Sequence, residues 1–120
     1  MINKKVIVYN LTRDNVILNE AEIAHSFYHR LKGLLGRSSL AVGKGLIIKP
    51  CRSVHTMGML FPIDLAFVDS EDRICHITEN MRPYRISPVI KKSSYIIEAP
   101  PGTFTSTGTS VGDKVKLEKS

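Results

Sequence analysis

Residues 64–78 read DLAFVDSEDRICHIT, a pattern typical of an antiparallel β-hairpin. The segments 64–69 and 73–78 are rich in the β-branched and aromatic side chains that pleated strands favour. They flank Ser70-Glu71-Asp72, a polar tip of three residues, which is a common length for a hairpin loop. The stretch therefore predicts two neighbouring strands joined by a solvated acidic turn.

Shorter runs of the same kind lie on both sides of this hairpin. Residues 6–9 and 16–18 flank a polar cluster and predict an opening hairpin. Residues 46–48 predict a buried strand that ends before Pro50, and residues 95–99 a strand stopped by Pro100-Pro101-Gly102. Residues 111–117 predict a Gly-Asp turn and a closing strand. We expect a mainly β fold, a small antiparallel β barrel or sandwich of about six short strands.

One segment has helical periodicity instead. Phe27, Leu31, Leu34 and Leu35 recur at helical spacing, after Ser26 as a candidate N-cap and before Gly36 as a candidate stop. The pattern predicts one α-helix over residues 26–35 that covers an opening of the barrel. Residues 80–94, with two prolines and few apolar repeats, predict a long irregular connection of the kind that is often functional.

Composition limits the remaining classes of protein. A chain of 120 residues, 42% hydrophobic and 23% charged, predicts a single domain over residues 1–120 and excludes disordered, collagenous and coiled-coil chains. Two cysteines are too few for a disulfide scaffold, so we expect thiols. No segment is apolar enough for a signal-peptide core or a membrane span, which predicts a cytoplasmic location.

The net charge of +6 is spread along the chain. Residues 1–49 carry a formal charge of +5, residues 50–80 carry −3 and residues 81–120 carry +4. Basic residues are not interleaved with aromatic ones as in a nucleic-acid stacking platform. The basicity is therefore interpreted as a solvated surface, and nucleic acid is disfavoured as a partner.

The segment 51–64 reads CRSVHTMGMLFPID and carries a specific resemblance. Together with RLKGLLGR at 30–37, FVD at 67–69, EAPPGT at 98–103 and VGD at 111–113, it closely resembles the uncharacterised family "domain of unknown function 192" over about residues 24–117. The resemblance implies a compact β-rich fold and no established activity. Met57-Gly58 stand where relatives often carry bulky aromatics, and Leu60 where a basic residue is common, so a binding surface here would differ in shape and charge.

The leading functional hypothesis is a non-catalytic accessory domain that binds a small molecule or a protein segment. Its predicted cleft is formed by six residues of the motif: Cys51, Ser53, His55, Thr56, Met59 and Asp64. A structural interpretation stands beside it, in which Asp64 accepts backbone N–H bonds, Ser53 and Thr56 satisfy nearby backbone groups, and Met57 and Met59 fill the core. No cofactor and no metal site is predicted, because a C-x-x-x-H spacing is a weak metal signal.

Two other classes of function stay open at this point. One is a thiol-dependent enzyme that uses Cys51 as nucleophile, His55 as base and Asp64 as orienting carboxylate. Four extended residues would however separate the Cα atoms of Cys51 and His55 by about 13 Å. The other is a weak nucleic-acid binder. Its candidate contacts are Lys44, Lys49, Arg52, Arg82, Arg85, Lys91 and Lys92.

Overall fold

The computed structural model describes residues 4–24 and 39–120. Seven strands occur in this part of the chain: β1 Lys4–Asn10, β2 Asn15–Ala24, β3 Lys44–Ile48, β4 Ile63–Asp69, β5 Ile74–Met81, β6 Ser93–Ala99 and β7 Val115–Lys119. One short helix, α1, spans Thr103–Ser106. The predicted helix over residues 26–35 lies outside the described residues.

The seven strands form one sheet in the order β5-β4-β6-β3-β2-β1-β7. Both predicted hairpins are confirmed: β1 pairs with β2 and β4 pairs with β5, each antiparallel. The pairing of β2 with β3 is parallel, which the strand pattern did not predict. The mainly β class is confirmed, as a curled half-barrel rather than a sandwich of two sheets.

The sheet curls until its two ends approach each other. The Ile74 N–H donates to the carbonyl of Asp113 at 2.9 Å, and the Val115 N–H donates to that of Asp72 at 2.8 Å. These bonds join the start of β5 to the start of β7. Phe104 of α1 is fully buried in the core cluster on one face of the sheet, so the helix covers part of the curled sheet.

Alternation of side chains gives the sheet two apolar faces. On β4, Leu65 and Phe67 belong to one core cluster, whereas Ala66 and Val68 belong to the other. A strand buried on both faces reads as a continuous apolar run, as β4 does. The cluster that contains Leu65 also includes Val54 and Met59 of the connection between β3 and β4. The motif segment therefore packs against the outer face of the central strands.

Candidate functional site

Two irregular connections lie side by side on that face. Residues 49–62 join β3 to β4, and residues 82–92 join β5 to β6; together they are called the ribbon below. Thr56 and Arg85 pair through a 2.8 Å bond from the Thr56 N–H, and the N–H groups of Ser87 and Ile90 donate to the carbonyls of Val54 and Arg52 at 2.8 and 2.9 Å. The predicted irregular connection is thus held along its length by the motif segment.

Thr56 is the centre of the ribbon. Its buried hydroxyl donates to the Arg82 carbonyl at 2.6 Å and accepts the Arg85 N–H at 2.9 Å. Its carbonyl accepts the N–H groups of Tyr84 and Met59 at 2.9 and 3.1 Å. A side chain with these bonds fixes the course of both segments, which matches the structural interpretation of Thr56.

Asp64, the last residue of the motif, is fully buried at the start of β4. Its two carboxylate oxygens accept the N–H of Asn80 at 2.7 Å and the N–H of Gly102 at 2.9 Å. Both donors have positive φ, 51° and 87°, a backbone conformation that Asn and Gly tolerate best. The carboxylate thus ties β4 to the end of β5 and to the turn before α1.

Burial raises the pKa of Asp64, and the nearby Glu79 raises it further, whereas the N–H bonds from Asn80 and Gly102 oppose this rise. Both oxygens accept backbone N–H groups, which matches the structural interpretation of Asp64.

The other motif residues have different surroundings. The Cys51 thiol donates to the Ser53 carbonyl at 3.0 Å, and the Ser53 hydroxyl lies 3.2 Å from the Ser87 hydroxyl. His55 is half-buried, and its Nδ1 accepts the Met57 N–H at 3.2 Å. Met59 is buried in the core cluster, which matches the core-filling interpretation, whereas the exposed side chain of Met57 contradicts it. Cys51 and Cys75 are both thiols.

An open cleft of about 750 Å³ lies at one end of the ribbon. Of the six predicted site residues, Cys51 lines it. Two segments supply most of its walls, one from the ribbon's first connection and one from the junction with β6, and the tip of the β4–β5 hairpin contributes one residue. The lining residues are Pro50, Cys51, Arg52, Ser70, Lys91, Lys92, Ser93 and Ser94. Three of them are cations and none is a carboxylate.

The ribbon also contains many cations, which the formal charges of residues 1–49, 50–80 and 81–120 did not reveal. Its two connections contain six cations and no carboxylate, and the rest of the chain is formally neutral. The cations are Lys49, Arg52, Arg82, Arg85, Lys91 and Lys92. These two connections therefore carry the whole formal excess of cations, contrary to the spread interpretation. A count of acidic residues in each predicted connection could have revealed this excess of cations. Only the hydrogen bonds between the two connections bring them next to each other.

Within the described part of the chain, no group of three or more His, Cys, Asp or Glu side chains is placed to hold a metal ion. None of the helices among these residues has the length and apolar character needed to cross a membrane.

The fold and the site define a half-barrel β protein in which the motif segment forms part of the ribbon. Comparison with known proteins identifies its family. The model of the DUF192 family, "Uncharacterized ACR, COG1430", matches residues 9–117. The chain is 36% identical over 100 residues to a UPF0127 protein of Pyrococcus horikoshii, covering 81% of this chain and 86% of the relative. A UPF0127 protein of Pyrococcus abyssi is 35% identical over 116 residues, covering 84% and 96%. The chain belongs to the DUF192 family, as its motifs predicted.

Two solved structures share the fold. One is a protein of unknown function from Novosphingobium aromaticivorans, with a TM-score of 0.78 and 26% identity, covering 93% of this chain and 83% of that one. The other is a candidate transcription regulator from Sinorhizobium meliloti 1021, with a TM-score of 0.76 and 24% identity, covering 96% and 93%. Their likeness confirms the mainly β architecture.

Proposed function

We propose that this protein is a non-catalytic binding domain that holds a small anionic molecule in the cleft beside Cys51. The observation that carries the proposal is the cleft itself, whose lining contains Arg52, Lys91 and Lys92 and no carboxylate. Its volume of about 750 Å³ is that of a small-molecule site. A group with a phosphate or carboxylate would neutralise cations that otherwise repel one another.

The chemistry of the walls supports an anion with hydrogen-bond acceptors. An Arg guanidinium can bond two oxygens of a phosphate or carboxylate at once, whereas a Lys ammonium acts as a point charge. The Ser93 hydroxyl already donates within the protein, to the Cys51 carbonyl at 2.8 Å. Exposed Ser70 and half-buried Ser94 are the hydroxyls best placed to donate to a ligand.

The non-catalytic part of the proposal rests on the motif's bonds. Asp64 and Thr56 hold backbone groups, and the Cys51 thiol donates to a carbonyl two residues away. These contacts favour a motif that builds and supports the cleft over one that performs nucleophilic chemistry.

Calorimetry with inorganic phosphate tests the proposal. We expect saturable binding that weakens at least about tenfold in the double variant Lys91→Gln/Lys92→Gln, since a bond to a charged group contributes about 1.5–3 kcal/mol. The matched control is Lys116→Gln/Lys119→Gln on β7, which removes two exposed cations that do not line the cleft. Equal affinity in both double variants, or no saturable binding by the wild type, would refute the proposal.

A second readout locates the phosphate. Because Cys51 lines the cleft, bound phosphate should slow the alkylation of its thiol by neutral iodoacetamide. Mass spectrometry measures this rate at Cys51 separately from Cys75. An unchanged Cys51 rate at saturating phosphate would place the anion elsewhere.

A further inference from the structure

The ribbon exposes apolar side chains to an unusual extent. Nine large hydrophobic side chains are exposed among the described residues, and five of them lie on the ribbon: Met57, Leu60, Tyr84, Ile86 and Val89. Ile86 is 71% exposed and Val89 67%. Scattered single residues of this kind are normal on protein surfaces, but several on two adjoining segments indicate an interaction surface.

The same two segments hold the cations that account for the net charge. Arg82 and Arg85 flank Tyr84 and precede Ile86, and all four side chains are exposed. Apolar and cationic side chains therefore alternate on one surface, with no carboxylate on either connection. This combination of apolar and cationic side chains complements a surface that is anionic on the outside and apolar beneath.

The ribbon holds these side chains outward. Ser87 is buried, and its hydroxyl accepts the Val54 N–H at 2.9 Å, whereas its neighbour Ile86 points away from the core with most of its surface exposed. The bonds to Thr56 fix the backbone at Tyr84 and Arg85 in the same way. Side chains that project this far suit insertion into a soft apolar phase better than the lining of a groove for a peptide.

We propose that the ribbon docks onto a membrane surface that contains anionic lipids. Leu60, Tyr84, Ile86 and Val89 enter the interface between headgroups and acyl chains, and Arg82 and Arg85 contact lipid phosphates. A single-stranded nucleic acid fits the surface less well, because such sites stack bases on aromatic rings and the ribbon's two connections offer one exposed aromatic side chain, Tyr84. This binding does not require an occupied cleft.

Co-sedimentation with lipid vesicles tests the inference. We expect the protein to bind phosphatidylcholine vesicles containing about 30 mol% phosphatidylserine at least about tenfold more tightly than pure phosphatidylcholine vesicles, and to lose this preference in high salt. Arg82→Gln/Arg85→Gln should weaken binding about 10- to 30-fold, because each cation near an anionic surface contributes about a fivefold factor. Ile86→Ser/Val89→Ser should weaken it about tenfold or more.

Matched controls separate this surface from general charge and hydrophobicity. Val42→Ser removes a side chain that is 94% exposed outside the ribbon, and Lys116→Gln/Lys119→Gln removes two cations on β7. Both should bind vesicles like the wild type. Equal losses in these controls, or equal binding to both vesicle types, would overturn the inference. So would wild-type binding to an acidic peptide or a DNA oligonucleotide but not to vesicles.

The proposal for the cleft and the proposal for the ribbon surface can be refuted independently. Ile86→Ser/Val89→Ser leaves every residue that lines the cleft in place, so phosphate binding should persist in this variant. Loss of vesicle binding with phosphate binding intact supports the membrane surface. Absence of phosphate binding in a protein that still binds vesicles refutes only the cleft.

Discussion

Replacing Asp64 with Asn tests whether the motif's buried carboxylate holds the fold together. The wild-type carboxylate accepts N–H groups from Asn80 and Gly102, 16 and 38 residues away in sequence. An Asn side chain has nearly the same shape but only one acceptor oxygen. Its amide group would face one of the two N–H donors, leaving that donor without its acceptor.

The expected magnitude follows from those bonds. A hydrogen bond to a charged group contributes about 1.5–3 kcal/mol, and the variant loses one such bond and makes the other to a neutral oxygen. Removing the charge from a buried position offsets part of this loss. We expect Asp64→Asn to lower the free energy of unfolding by about 2–4 kcal/mol at pH 7, as measured by urea titration monitored by circular dichroism.

The pKa of Asp64 also predicts the direction in which the stability deficit changes with pH. Because burial raises the pKa of Asp64 in the folded state, the folded protein binds this proton before the unfolded chain does. The resulting stability is fully present below the unfolded pKa of about 3.9 and is lost as the pH rises through the folded pKa. The deficit of Asp64→Asn should therefore grow as the pH falls from 7 towards 4.

Asp113→Asn is the matched control, because its stability deficit should change with pH in the opposite direction. Burial acts to raise the pKa of Asp113, but bonds from the Asn10 side chain, the Ser110 N–H and Arg13 together lower it. This contribution is present above the unfolded pKa and is lost as the pH falls through the folded pKa, so the deficit of Asp113→Asn should shrink below about pH 4. A loss under about 0.5 kcal/mol in Asp64→Asn at pH 7, or the same pH trend in both variants, would refute the reasoning.

Two further substitutions test the packing around the site. Gly45→Ala would place a Cβ atom 2.4 Å from the Glu98 carbonyl oxygen, a backbone atom, and we expect a loss of about 1–3 kcal/mol in urea titration; an unchanged midpoint would contradict this close approach. Thr56→Val removes the hydroxyl bonded to Arg82 and Arg85 and should cost about 2 kcal/mol and speed exchange of the Arg85 amide hydrogen, whereas Thr56→Ser keeps the hydroxyl and should stay protected. Equal exchange in the two Thr56 variants would contradict the assigned role.

Strands were predictable because their signal is local. The β-branched and aromatic residues of β4 and β5 and the polar tip between them specify a hairpin within 15 residues, and the pattern of β1 and β2 does the same. The parallel pairing of β2 with β3 and the bonds from Ile74 to the Asp113 region were not predictable in this way. They join segments distant in sequence, and their partners are chosen by packing of the whole sheet.

The candidate site was likewise predictable only where its signal is local in sequence. The motif from Cys51 to Asp64 was recognisable as a unit, and the structural interpretations of Thr56, Met59 and Asp64 match their buried contacts. The cleft was not recognisable, since its walls come from three separate segments. Ser70, Ser93 and Ser94 carried no signal of their own, because isolated serines are common on surfaces.

The sequence by itself determined the mainly β class, the strand positions and the family, because side-chain alternation and a contiguous motif are properties of neighbouring residues. Only the tertiary structure decided where the net charge lies. Residues 49–62 and 82–92 are separated by two strands and lie in windows of opposite sign when the chain is divided linearly. Hydrogen bonds between them place the two connections, which contain six cations and five exposed apolar side chains, next to each other. Such long-range pairing cannot be inferred from a local pattern.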